Sequence, residues 1–180
     1  MSAIGFGQAG REKWAGPGGW NDLDNILIGH ILWQKKLGPT PLTKVEQYTY
    51  ISLWSLLAAP LVFGGDMTKL DAFTLELLTN DEAIDVNQDI LGKQGVPVAK
   101  QNQTEVLMKP LADGSKAVGM FNRGDKETEI AARRADLQIQ EKRQVRDLWR
   151  HQDAGMFDNE YRANIPPHRA VMVRIANGSK

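Results

Sequence analysis

The hydrophobic pattern of this chain changes period once, near Gly95, and that change restricts the folds open to it. Upstream, Thr43 followed by Glu46 makes a capping box behind Pro41. Val45, Tyr48, Ile51, Trp54, Leu57 and Ala58 then recur at helical spacing up to Pro60, which predicts a helix of roughly four turns. LVFGGDM follows as a short unbroken apolar run, the pattern of a strand buried on both faces of a parallel sheet. A second helix is expected in DAFTLELL with Asp71 as its cap, and a third in DEAIDVN after Asn80. From Val96 the period is two: VPVAKQ, TEVLMKPL, KAVGMFNRG, ETEIAAR, QVRDLWR and AVMVRIAN are separated by turn pairs such as Asp113-Gly114 and Arg123-Gly124. The expected fold class is α/β followed by all-β, divided into residues 1–94 and an antiparallel β-domain over 95–180. The first part offers only two buried-strand candidates, the LDNILIG region and LVFGG. Two parallel strands with their helices neither close a barrel nor cover a sheet on both faces, so further strands are expected upstream.

Composition narrows the function classes. Twenty-two basic residues balance 22 acidic ones, so no global field draws the chain to nucleic acid or an anionic membrane. The longest apolar stretch, Leu56 to Phe63, is too short to span a bilayer and is broken by Pro60, and MSAIGFGQAG lacks the basic and apolar regions of a leader. With no cysteine there are no disulfides, thiolate metal sites or cysteine nucleophiles. His30, His151 and His168 are scattered without a second ligand at metal spacing, so neither a metal nor another cofactor is expected. Asn102-Gln-Thr104 and Asn177-Gly-Ser179 are sequons of the kind that arises by chance.

The one stretch dense in chemistry is GPGGWNDLDN, Gly16 to Asn25, with Asp22 and Asp24 two residues apart. A retaining glycosidase places two carboxyl groups about 5–5.5 Å apart on opposite sides of the scissile bond. Residues i and i+2 of a strand lie roughly 6.5–7 Å apart and point the same way. Such a pair meets a sugar from one side only, so it does not straddle the bond. The alternative is a turn in which Asp22 and Asn21 cap backbone amides and Trp20 packs inside. Asp66, after the two glycines, is read as a helix cap.

These segments, taken in order, resemble the C-terminal half of the family 27 glycoside hydrolases, the α-galactosidase and α-N-acetylgalactosaminidase group. GPGGWNDLDN is similar to the family's GPGxWNDPDM, LLAAPLVFGGDM to its AAPL segment, and LLTNDEAIDVNQDILGKQG to its L-N-E-V-I-A-V-N-Q-D-P-L-G-K-Q-G segment. KPLADGSKAVGMFNRG, VRDLWRHQDAG and IPPHRAVMVRI resemble the hairpins of its β-domain. The resemblance implies a (β/α)8 barrel followed by an antiparallel β-sandwich, with this chain starting just before barrel strand seven. WNDLDN then ends strand seven, LVFGG is strand eight, and the site lies at the C-terminal ends of the strands.

The family's nucleophile sits in a K-x-D motif after strand four and its acid/base in an R-x-x-x-D motif after strand six. The chain, expected to begin downstream of both, is expected to carry neither, and so no catalytic residue. What carries over is the sugar pocket: Asp24 matches the family aspartate that lines it, Asn25 stands where the family has a pocket-facing methionine, and Trp20 is a candidate to pack under a sugar face. Asp22 is read as holding the loop, and Leu23 replaces the family's proline. The resemblance thus implies an α-galactoside substrate and, as the family is mostly secreted, periplasmic or lysosomal, one of those compartments. Two other readings stand beside it. One is a non-catalytic carbohydrate-binding or interaction module; the other is a half-enzyme that associates through its incomplete barrel edge with a separate N-terminal half.

Overall fold

In the computed structural model, which describes residues 2–177, Thr43 starts the longest helix as the capping box predicts. Its hydroxyl oxygen accepts the Glu46 N–H at 3.3 Å, and the Glu46 carboxylate accepts the Thr43 N–H at 2.8 Å. In chain order the elements are a single helical turn α1 (Ser2–Gly5), the hairpin β1 (His30–Trp33) and β2 (Lys36–Pro39), and the helices α2 (Lys44–Leu56), α3 (Ala72–Leu78) and α4 (Asp81–Asn87). The β-rich half follows: β3 (Val96–Gln101), β4 (Thr104–Pro110), β5 (Lys116–Asn122), β6 (Thr128–Arg133), a helical turn α5 (Arg134–Leu137), β7 (Arg143–Asp147), β8 (Gln152–Phe157), β9 (Glu160–Ile165) and β10 (Ala170–Ile175). Among the described residues no helix is long and apolar enough to cross a membrane.

The β-rich half is an antiparallel sandwich. One sheet has the order β3-β4-β5-β10-β7-β8 and the other pairs β6 with β9. Val106, Val118, Met120, Val145, Val173 and Ile175 point from the large sheet into a core shared with Ile130, Ala132 and Ile165 of the small one. The alternate residues Leu107, Ala117, Phe121 and Met172 point the other way, into a second core with α2. The large sheet is therefore covered on both faces. This is why β5 is buried from Ala117 through Asn122 instead of alternating buried and exposed as a solvent-facing antiparallel strand does.

Helix α2 is the middle layer. Leu53, Trp54 and Leu56 are fully buried between the sandwich on one side and Leu23, Ile26 and Ile28 of the strand-seven segment on the other. A helix enclosed in this way has no wide polar stripe, and even its Ser52 and Ser55 are buried. Its C-terminal end is tied down twice. Gly95 N–H donates to the Leu56 carbonyl at 2.8 Å, and the Asn87 side chain donates to the carbonyls of Trp54 and Ala59 at 3.3 and 2.8 Å.

The two barrel-strand candidates meet as parallel neighbours, though over one bridge only. Ile26 N–H donates to Val62 at 2.8 Å, and Gly64 N–H returns to Ile26 at 3.0 Å. LVFGG is not covered on both faces as its apolar run implied, since Val62 is exposed. The predicted caps take their places: Asp66 accepts the Thr68 N–H, Asp71 that of Thr74 and Asn80 that of Ala83.

Candidate functional site

The glycine-rich start of GPGGWNDLDN is a closed turn. Gly16 and Gly19 exchange backbone hydrogen bonds at 2.8 and 2.9 Å, with Pro17 in the first corner and Gly18 at φ 95° in the second. That is the pattern of a type II turn, which needs a residue tolerant of positive φ at its third position. Beyond it Trp20 is 45% exposed and packs against Gly92 and Pro17 instead of turning inward. Trp20 lines a depression with Ala59, Pro60 and Ile90 that neither Asp24 nor Asn25 enters.

Asn21 caps no amide. Its carboxamide donates to the Gln94 side chain at 2.8 Å and to the Arg11 carbonyl at 3.0 Å, tying the loop to the segment that leads into the sandwich. Asp22 does hold the loop: its carboxylate accepts the Asp24 N–H at 2.9 Å. Asp24 takes a left-handed conformation, φ 71°, and one of its carboxylate oxygens accepts the Asn25 N–H at 2.7 Å. The two aspartates are thus joined through one turn and are not i and i+2 of a strand.

Two aromatic residues of α2 clamp this loop from below. Trp54 Nε1–H donates to the Asp24 carbonyl at 3.3 Å and the Tyr50 hydroxyl to the Asn25 carbonyl at 2.8 Å. Their rings meet edge to face at 4.3 Å. Burial raises the Tyr50 phenol above its ordinary pKa, and the Asp24 charge adds to the effect, so the hydroxyl remains a donor. On the strand-eight side, a Cβ at Gly64 would stand 2.9 Å from the Asn25 Cβ, so the glycine is what lets the two strand ends approach. The outcome is an exposed Asp24 carboxylate beside Asn25, on a loop whose backbone is fixed by buried donors.

Other carboxylates of the strand ends are occupied. Asp66 accepts both the N–H and the hydroxyl of Thr68, which hold its carboxyl below the usual range, and Asp71 is held down likewise by Thr74. The K-x-D string does occur, at Lys69-Leu70-Asp71, and R-x-x-x-D occurs at Arg143–Asp147, which corrects the expectation that neither is present. Asp71 is the N-cap of α3. Asp147 ends the sandwich strand β7 and accepts the amides of Trp149 and Arg150 at 3.0 Å each. The first string lies beyond the LVFGG segment with its aspartate spent as a helix cap, and the second lies in the sandwich, so neither matches the family's positions after strands four and six.

One assembly had no sequence signal. Among the described residues, Asp81, Glu82 and His151 come together, although 69 positions separate Glu82 from His151. His151 Nδ1 lies 2.8 Å from Glu82, but both Glu82 oxygens also accept from Arg146, at 2.8 and 2.5 Å. That fork, with His151, keeps the Glu82 carboxyl below its ordinary range. A carboxylate committed to a guanidinium makes a poor metal ligand, and the cluster is an ion-pair lock between α4 and the β7–β8 turn.

The chain is similar to known glycosidases. Residues 5–89 match the family described as alpha galactosidase A, and residues 101–175 match the alpha galactosidase C-terminal beta sandwich domain. An α-galactosidase of Cyamopsis tetragonoloba is 37% identical over 96% of this chain and 40% of its own length. A family 27 β-L-arabinopyranosidase of Geobacillus stearothermophilus, solved in complex with arabinose, superposes at TM-score 0.88 with 32% identity, over 97% of this chain and 42% of that one. The α-galactosidase of Saccharomyces cerevisiae shares the fold at TM-score 0.83 and 18% identity, over 97% of this chain and 51% of that one. The chain spans about 40% of the length of the curated relatives it matches.

Proposed function

The chain belongs to family 27 of the glycoside hydrolases, and on that footing we propose that it supplies one wall of the sugar pocket of an α-galactosidase-like retaining hydrolase acting on terminal α-linked galactose. In this reading residues 1–94 are the strand-seven and strand-eight portion of the barrel and residues 95–180 are its sandwich domain. The observation that carries it is the Asp24–Asn25 loop, exposed at the end of two parallel segments and clamped by Tyr50 and Trp54. Asp24 accepts hydrogen bonds from sugar hydroxyls through its free carboxylate oxygen, which orients the ring without taking part in bond cleavage. Asn25 offers a polar contact where the family has a thioether. Trp20 lines a separate depression, which supports a reading in which the pocket wall rests on Asp24 and Asn25.

The same reading makes the chain alone inactive, because Asp22 and Asp24 sit in one turn and Asp66 and Asp71 are spent as caps. A double displacement needs two carboxyls facing each other across the bond. Release of nitrophenol from an α-galactoside by the isolated chain refutes this. Absence of galactose binding by calorimetry at millimolar sugar refutes the pocket wall.

One observation favours a half-enzyme. Leu32, Trp33, Leu37, Val62 and Met67 are exposed around the barrel-strand segment, which is where an upstream barrel portion packs in this reading. Mixing the chain with a separately produced upstream portion is expected to restore turnover. A chain that stays monomeric and inactive in that mixture rules it out.

A further inference from the structure

The cleft where α2 meets the β7–β8 and β9–β10 connections shares no lining residue with the Asp24 loop. Its volume is about 370 Å³, within the range of roughly 300–1,000 Å³ usual for small-molecule sites. Tyr48 and Trp149 form its aromatic wall, meeting edge to face at 4.8 Å. The Trp149 indole is locked by its Nε1–H, which donates to Ser52 Oγ at 2.8 Å.

The rim is rich in donors and carries excess positive charge. Asp147 is nearly buried, accepts two backbone amides, and lies 3.7 Å from the Arg150 guanidinium, so that pair is neutralised locally. Arg169 is different. Its backbone is held, the N–H on the Pro166 carbonyl and its own carbonyl on the Asn122 N–H. Among the described residues, however, its guanidinium meets no protein acceptor in a hydrogen bond or ion pair. The Tyr48 hydroxyl and the Asn164 amide at the same rim are also unspent on protein partners. Burial raises the Tyr48 phenol, with help from Glu76, so it too is a donor.

An aromatic wall takes the C–H face of a pyranose. An unneutralised guanidinium fork takes a planar carboxylate through two parallel N–H bonds. A neutral sugar satisfies the first requirement only, and a bare anion only the second. We propose that this cleft binds a uronic acid unit of a glycan, with Arg169 on the carboxylate, Tyr48 and Asn164 on ring oxygens, and Trp149 against the ring. This site is independent of the Asp24 pocket.

The test titrates the whole 180-residue chain with sodium D-galacturonate, D-galactose and sodium acetate in turn, following heat and the Trp149 indole N–H resonance. Read at the Trp149 resonance, since galactose also binds the Asp24 pocket in the reading above, galacturonate is expected to bind at least about tenfold more tightly than either control, as a charge-assisted fork combined with ring stacking implies. Arg169→Gln is expected to remove about tenfold of that affinity with unchanged circular dichroism, and Tyr48→Phe about threefold. Equal binding of galactose at the Trp149 signal overturns the proposal, and equal binding of acetate there reduces the cleft to a bare anion site and overturns it as well. So does galacturonate affinity that neither substitution changes, or no shift of the Trp149 signal at ~100 mM galacturonate, where even a weak site fills.

Discussion

Lys109 is a lysine with no exposed surface, in β4 between the sandwich and the helical layer. Its ammonium donates to the carbonyls of Val86, Asn87 and Ser55 at 2.5, 3.2 and 3.4 Å. These carbonyls stand at the C-terminal ends of α4 and α2, where a cation suits the helix dipole. Burial nevertheless outweighs that support and the nearby Asp89 charge, lowering the lysine from its ordinary 10.5 to about 8. The displacement corresponds to about 3 kcal/mol held against the charged form. Between about pH 8 and 10.5 the unfolded chain therefore binds more protons than the folded one, and the unfolding free energy rises with pH across that window. Below pH 8 the lysine is charged in both states and the full penalty is present. Lys109→Met removes the titration and strands three carbonyls, each worth ~1–3 kcal/mol when left unpaired, so the variant is expected to be less stable at pH 7. The decisive quantity is the difference between the two proteins in urea unfolding at fixed ionic strength from pH 7 to 10.5. It is expected to widen by about 3 kcal/mol over that range, other alkaline groups cancelling in the subtraction. A difference that stays flat or narrows refutes the assignment of a destabilised buried charge.

Four further outcomes follow from named contacts. Asp24→Asn is expected to weaken galactose binding by about tenfold in calorimetry through loss of a charge-assisted acceptor, while Asp22→Asn, which keeps an acceptor for the Asp24 amide, is expected to change it little. Thr43→Ala removes the hydroxyl that accepts the Glu46 N–H while leaving the Thr43 N–H on the Glu46 carboxylate, and is expected to lower stability by about 1 kcal/mol in thermal or urea melts. Gly119→Ala drives a methyl into Leu56 and Phe121, an overpacking that is expected to cost ~1–3 kcal/mol. Glu82, whose carboxyl is lowered by Arg146 and His151, contributes stability that is present above the ordinary carboxylate range and is lost as pH falls through its folded value. Melts of Glu82→Gln against wild type between pH 7 and 3 are expected to converge on the acid side.

Sequence pattern carried most of the fold because most of the elements are locally consistent. The capping box, the Asp71 and Asn80 caps, and the six alternating runs all became the elements their spacing implies. The β1–β2 hairpin left no trace because its turn residues, Gln34 and Lys35, adopt φ 49° and 65° without the asparagine or glycine that usually marks such a turn. The edge strand β8 escaped notice because Phe157 is its only buried residue, so no alternation is imposed on it. At the candidate site, the role of Asp22 was readable from its turn chemistry. The clamp by Tyr50 and Trp54 was not, since it joins residues 25 and 30 positions apart. The Glu82–Arg146–His151 lock and the Tyr48–Trp149 cleft were hidden for the same reason: each is made by tertiary contact.

Helix α2 has a consequence for recombining this protein with its relatives. Its residues complete the core on one side of the large sheet, and Leu56 sits where only a glycine at 119 leaves room. A crossover between parents at Gly95 therefore separates partners that were fitted to each other, although the junction looks like a natural seam in the chain. Chimeras that inherit α2, α4 and the β4–β5 hairpin from a single parent are expected to fold, and those that split them are expected to inherit a clash or a void at Leu56 together with carbonyls that Lys109 no longer reaches.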